Sequence, residues 1–212
     1  MSVFELLKET PRPLDCVVQI GAHAGQEVKP FRKWGVKRAI MIEPADGPYA
    51  RLCAAIGEDA RFIPVQAVCS SLDGEPCDFF VGTSSEASST LKPKRVLSEY
   101  PEIRFGDPIR LTARTVDSIV AEIEQAHPDF SAREIDLLYI DTQGAELKVM
   151  MGAMRVLQFA QWVWTEVSYD LYDGGASLED MQGFLRAFGF RLHHIEVNDR
   201  GWGDALFAKP PR

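Results

Sequence analysis

Val17-Val18-Gln19-Ile20-Gly21-Ala22-His23-Ala24-Gly25 is an apolar run that dissolves into small residues, and a helix-compatible segment follows it from Gln26. Val17, Val18 and Ile20 suit a strand buried on both faces, while Gly21 and Gly25 let the backbone turn sharply and approach a ligand where a side chain would intrude. The free amides of the following helix then face the turn. A second apolar run, Ala39-Ile40-Met41-Ile42, closes on Glu43 and Pro44. That is the layout of a nucleotide site, with Glu43 placed to accept hydrogen bonds from a ribose diol. The spacing is GxxxG rather than GxGxxG, and such a turn is also ordinary in any parallel α/β protein. These residues alone leave both readings open.

The chain has 212 residues and no long polar linker, which fits a single α/β domain over 1–212. No apolar run approaches the roughly twenty residues of a membrane helix, so membrane insertion is not expected. The formal charge of −8, without a local basic stripe, sets the overall field against a nucleic-acid partner. Cys16, Cys53, Cys69 and Cys77 form no CxxC pair, and the N-terminus lacks a basic and then apolar signal, so a reducing cytoplasm is expected. Oligomeric state is not legible.

Residues 1–14, with Phe4, Leu6 and Leu7, are expected to cap the sheet. Val28, Phe31 and Trp34 give a helical stripe ended by Gly35, and Tyr49, Leu52, Cys53 and Ile56 give another before Gly57. Residues 61–68 read as a third strand and 75–82 as a β segment reached through Asp73-Gly74. Residues 83–108, serine-rich and then basic and proline-bearing, show no periodicity and are expected to form a mobile flap. Residues 110–114 alternate like a strand, and Thr115 is placed to cap a helix bearing Val116, Ile119, Val120 and Ile123. Ile135 to Asp141 is a buried-type strand ending on an acid, and the helix after it is expected to turn Leu147, Met150, Met151, Met154 and Leu157 inward. Trp162 to Val167 carries Glu166 near its end in the same way. A Ser177–Asp180 capping pair opens a last helix, and 190–195 with 205–208 close the chain. The βαβα alternation favours a single Rossmann-like, doubly wound, mostly parallel sheet with an antiparallel edge hairpin at its C-terminal end.

Four segments, IGAHAG (Ile20 to Gly25), IEP (Ile42 to Pro44), IDTQGAELKVMMGA (Ile140 to Ala153) and TEVSYDLYDG (Thr165 to Gly174), make the chain resemble the FkbM family of class I S-adenosylmethionine-dependent methyltransferases. The third is the most specific, with its Asp, its Gly-Ala-Glu and an apolar helix ending in Gly-Ala. The resemblance covers nearly the whole chain and implies a seven-stranded sheet, S-adenosyl-L-methionine over the first strands and acceptor over the fourth and fifth. It implies cofactor contacts from Gln19, Gly21, Ala22, His23, Gly25, Glu43, Pro44, Ala67, Val68, Ser89 and Asp141. The family usually has Asp two residues before the first glycine and Asn two residues after it, where this chain has Gln19 and His23. Gln19 keeps an acceptor but loses the charge, worth ~1 kcal/mol in a charge-assisted contact.

A carboxylate closing an apolar strand gains nothing from packing, so Asp141 and Glu166 are the catalytic candidates. Glu146, Tyr169 and Tyr172 are candidate acceptor contacts. Two carboxylates without a third clear ligand make a poor Mg²⁺ site, so no metal is expected and one of the pair serves as the base. The resemblance implies O-methylation of a hydroxyl, and the family's habit puts that hydroxyl on a sugar, glycan or secondary-metabolite precursor. A non-catalytic binding protein or another nucleotide-dependent enzyme stands as the alternative.

Overall fold

The computed structural model describes residues 3–8 and 14–210. Short helix α1 (Val3–Leu7) is followed by β1 (Cys16–Ile20), α2 (Val28–Trp34), β2 (Arg38–Ile42), α3 (Asp46–Ile56) and β3 (Phe62–Val65). Then come β4 (Val68–Cys69), β5 (Pro76–Phe79), α4 (Val96–Glu99), β6 (Ile109–Arg114), α5 (Val116–Ala126), β7 (Leu137–Ile140), α6 (Glu146–Met151) and α7 (Met154–Phe159). The chain closes with β8 (Trp162–Ser168), α8 (Leu178–Arg186), β9 (Arg191–Val197) and β10 (Trp202–Ala208).

Seven strands form one sheet in the order β3-β2-β1-β7-β8-β10-β9, parallel from β3 to β8, with β10 antiparallel to both its neighbours. This is the expected doubly wound sheet with its C-terminal edge hairpin. All five residues of β1 are buried, because helices cover both faces of the central strand. Val18, Ile20, Ile40 and Leu138 pack on one face with α5 and α8, and Val17, Met41, Leu137 and Trp164 on the other with Phe31 and Leu52. Each such buried side chain contributes ~1.5–3 kcal/mol. From the N-terminal cap, Phe4 packs edge-on against Phe31 at 5.6 Å, whereas residues 1–2 and 9–13 of that expected element lie outside the described residues.

The local signals act as expected at several helix ends. The Ser118 amide donates to Thr115 Oγ1 at 3.1 Å, and Val116, Ile119, Val120 and Ile123 are buried. Ser177 and Asp180 complete a reciprocal capping box at α8.

Two expectations need correction. Residues 61–68 are not one strand: β3 ends at Val65, and after Gln66-Ala67 the chain enters a small sheet, β4-β6-β5, where Val68, Phe79 and Ala113 form their own cluster. The helix after β7 is not continuous, and Met151 and Met154, expected inward, are 46% and 51% exposed. Asp117 causes the break. Its carboxylate accepts from the Arg155 and Val156 amides at 2.7 and 3.0 Å, starting a new helix, while Gly152 presses so close to the Ser70 carbonyl that a Cβ would sit 2.2 Å from it.

Residues 83–108 pack across the carboxyl ends of the strands. Bridges Phe80↔Ser89, Gly82↔Phe105 and Pro93↔Tyr172 hold them, and Leu91 and Val96 are buried against Ala145, Leu171 and Tyr172.

Candidate active site

A cavity of about 350 Å³ opens at the carboxyl ends of β1, β2, β7 and β8, roofed by residues of the 83–108 segment. One end is built on the glycine turn. Gly21, at φ 82°, brings its Cα so near the Asp141 carbonyl that a Cβ would lie 1.8 Å from the oxygen. Only glycine permits this joining of the β1 and β7 ends. The Gly21 and Ala22 amides donate to the Ile42 carbonyl at 2.9 Å, and the His23 and Ala45 amides donate to the Glu43 carboxylate at 2.9 and 2.8 Å. Glu43 is therefore oriented by backbone while its buried carboxylate lines the cavity, and burial raises it above the usual carboxylate range.

Gln19 lies on β1 at 1% exposure and also lines the cavity. Its Nε2 donates to Glu27 Oε2 at 3.0 Å, and its Oε1 is buried without a partner among the described residues. A buried orphan acceptor beside a glycine cradle fits a ligand bearing an ammonium or amide donor, such as S-adenosylmethionine. His23 stands in a left-handed conformation, φ 44°. Gln26 Nε2 donates to its Nδ1 at 2.9 Å, which leaves Nε2–H to donate to Ser85 Oγ at 2.7 Å, tying the turn to the roof. Pro44, Ala67 and Val68 line the same end. Ala22 and Gly25 stand outside the wall; Ala22 is core, and Gly25 faces Leu52 and Val28. In the serine-rich segment, Ser88 and Thr90 reach the cavity, whereas Ser89 is turned away and donates to the Gln143 carbonyl at 2.7 Å.

The other end is walled by aromatic and aliphatic side chains and floored by Asp141. Glu166, 2% exposed, stands behind it on β8, outside the cavity lining, and its Oε1 is buried with no partner among the described residues. Burial, then the charges of Asp141 and Glu146, push the Glu166 carboxyl well above its ordinary range. Asp204, on β10, is the cross-strand partner of Glu166 and is raised to about 6, chiefly by burial. Gln143 joins the pair: its Nε2 donates to Asp141 Oδ1 at 2.8 Å and also to Glu166 Oε2. Val96, Tyr100, Ile103, Leu171, Tyr172 and Trp202 form the wall, with Tyr100 and Trp202 edge to face at 6.3 Å.

Glu146 and Tyr169, expected against acceptor, stand elsewhere. Glu146 lies under the turn after β7, its Oε1 accepting from the Thr142 and Gly144 amides at 3.0 Å each, and burial raises it to about 7. Tyr169 is 42% exposed beyond the wall, bonded through its amide to the Gly201 carbonyl. Among the described residues no group of three or more His, Cys, Asp or Glu side chains is arranged to hold a metal ion. No helix among them is long and apolar enough to cross a membrane.

Sequence reasoning passed over Glu27, Gln143, Tyr100 and Trp202. Gln143 was within reach, since an amide side chain two residues past a strand-ending acid, inside the most specific segment, is placed to steer that acid.

The family model of the methyltransferase FkbM domain matches residues 19–192. The chain is 29% identical over 191 residues to the 2-O-methyltransferase NoeI of Sinorhizobium fredii, covering 86% of this chain and 74% of that protein. Among solved structures it is similar to the METTL16 methyltransferase domain, at a TM-score of 0.54 and 10% identity over 97% of this chain and 63% of that one. It is also similar to a protein of the NADB-Rossmann superfamily from Streptococcus agalactiae, at a TM-score of 0.51 and 11% identity over 99% and 68%. At these identities the structural likenesses speak for the fold alone.

Proposed function

Since the chain belongs to the FkbM methyltransferase family and is an S-adenosylmethionine-dependent methyltransferase, we propose that it methylates a hydroxyl of a sugar, a glycan or a secondary-metabolite precursor, with Asp141 removing the hydroxyl proton. The carrying observation is Asp141, which floors one end of a cavity whose other end is the glycine turn and which Gln143 links to Glu166 behind the lining. The relative named a 2-O-methyltransferase supports oxygen as the acceptor atom.

When bound, S-adenosylmethionine supplies an electrophilic methyl on a sulfonium centre. Gln19 Oε1 would accept from its ammonium, Glu43 from its ribose hydroxyls, and Pro44, Ala67 and Val68 would flank its adenine. Burial pushes the Glu166 carboxyl well above its ordinary range, and Asp141 is the member of the pair that lines the cavity, where the acceptor hydroxyl would lie, so Asp141 takes the part of base. Tyr100, Leu171, Tyr172 and Trp202 would hold the acceptor ring and exclude water, fixing the reacting oxygen near the methyl carbon. One domain carries all of this, with residues 83–108 as its lid.

Asp141 at the cavity floor and the formal charge of −8 favour a neutral or cationic acceptor over a polyanion, nucleic acid included. Methyl transfer from labelled S-adenosylmethionine to a panel of neutral glycosides, amino sugars, sugar phosphates, uronates and RNA tests this. Label is expected on oxygen of the neutral or amino sugars; label confined to phosphorylated, carboxylated or nucleic-acid acceptors would overturn it.

A further inference from the structure

Gln143 is where the 83–108 segment and the carboxylate pair meet. It occupies a left-handed conformation, φ 55°, one residue before Gly144 at φ 96°. Four of its polar links run in two directions. Toward the floor, Nε2 donates one hydrogen to Asp141 Oδ1 at 2.8 Å and the other to Glu166 Oε2. Toward the roof, its carbonyl accepts from Ser89 Oγ at 2.7 Å and its Oε1 accepts from Tyr172 Oη at 3.3 Å. Both roof partners belong to the lid's own network, since the Tyr172 hydroxyl also donates to the Ala87 carbonyl at 2.8 Å and Ser89 Oγ accepts from the Leu91 amide at 3.0 Å.

A primary amide has two hydrogens and can serve two carboxylates at once. Turned over, it would set its oxygen against both acids, so the acids fix which way the amide faces. The lid, through the Ser89 hydroxyl on the Gln143 carbonyl, fixes the backbone from which the amide reaches them. Asparagine at this position would be a methylene too short to bridge the ends of β7 and β8 from the same backbone, and φ 55° is a costly conformation that persists only while neighbours enforce it.

We propose that Gln143 is a positioning residue that sets the Asp141–Glu166 pair in register for proton removal only when residues 83–108 are seated, so that closure over the acceptor and readiness of the base are one event. The proposal rests on the assignment of Asp141 and Glu166 above. It makes no contact of Gln143 with the cofactor necessary.

The charges that face the pair are Glu146 from beneath the turn, Asp204 from β10, and Glu27 and Glu43 from the glycine-turn side, with the Tyr139 and Tyr172 hydroxyls adjoining. In that negative surrounding the two amide donors favour the ionised form, so removing them shifts titration of the pair to higher pH.

The test uses the full chain in three variants: Gln143→Met, which keeps volume and loses donors; Gln143→Glu, which keeps shape and reverses them; and Ser89→Ala, which loosens the lid's grip without touching the amide. In ligand-free protein, ¹³C NMR of labelled Asp and Glu carboxyls is expected to show the pair titrating at higher pH in Gln143→Met than in wild type, with a smaller displacement in the same direction in Ser89→Ala. In turnover, Gln143→Met is expected to lower kcat by ~10²-fold. The acidic limb of its pH profile moves upward, while binding of S-adenosylhomocysteine and acceptor KM stay within about threefold. Carboxyl titrations unchanged in Gln143→Met would overturn the proposal, as would a Ser89→Ala variant that leaves both titration and kcat at wild type. Because the titration needs no reaction, a failure to methylate any acceptor would count against the functional assignment and leave this proposal decided separately.

Discussion

Replacing Glu146 separates two jobs that one buried carboxyl performs. Its Oε1 accepts from the Thr142 and Gly144 amides at 3.0 Å each and from Thr142 Oγ1 at 3.2 Å, holding the turn that carries Asp141 and Gln143. Glu146→Ala strands two buried amides, each costing ~1–3 kcal/mol, so about 4 kcal/mol of stability should be lost together with activity. Glu146→Gln keeps an oxygen in place and removes the titration. Burial raises the native carboxyl from 4.5 to about 7, and the group is 3% exposed, so solvent screening is slight. At about 1.4 kcal/mol per pH unit, that amounts to roughly 3 kcal/mol. The sign follows from proton binding: the folded state holds the proton more tightly, so the contribution is whole below pH 4.5 and is lost as pH rises through about 7. Urea unfolding followed by circular dichroism at pH 5, 6, 7 and 8 should therefore show Glu146→Gln gaining on wild type by about 3 kcal/mol from the acid to the alkaline end. Parallel pH dependences in the two proteins would refute the assignment of Glu146 as a buried, titrating brace.

Gln19→Asp restores the residue usual in the family, yet it should weaken S-adenosylmethionine binding by about tenfold in calorimetry, because it removes the donor to Glu27 and buries a second carboxylate near that one. Adding Glu27→Gln should recover the loss, and a tighter single variant would contradict the pairing. Trp202→Ala, which opens the acceptor wall, should raise acceptor KM about tenfold and leave cofactor affinity unchanged; an equal loss of both would place the indole in the wrong half of the cavity. Limited proteolysis within residues 83–108 should slow when S-adenosylhomocysteine and acceptor are present, and equal cleavage with and without ligands would remove the lid role.

Legibility along the chain followed the range of the interactions. The β1 run, the Glu43 strand end and the Ser177–Asp180 cap depend on neighbours in sequence, and their local pattern states them. The break at Gly152 was hidden because its causes, the Ser70 carbonyl and the Asp117 carboxylate, come from other segments. The packing of residues 83–108 was hidden likewise: Leu91 and Val96 find their partners at Leu171 and Tyr172, so no local period marks them as core. Within the site, Asp141 and Glu166 stand out as acids that end apolar strands. Gln143 and His23 depend on left-handed backbone and on the Ser89 and Ser85 hydroxyls of the roof, which composition does not announce. Gln19 is explained only together with Glu27, since the buried amide both satisfies that acid and leaves an acceptor for a ligand.

The central claim is that one cavity binds S-adenosylmethionine at the glycine turn and removes an acceptor proton at Asp141. Asp141→Asn measured in parallel by calorimetry with S-adenosylhomocysteine and by transfer of labelled methyl to an accepted sugar tests both halves at once. Binding within about threefold of wild type with transfer reduced by ~10²–10⁴-fold is predicted, insensitive to EDTA in the wild type. Transfer close to the wild-type rate in Asp141→Asn, with binding intact, would contradict the account by showing that the proton leaves elsewhere.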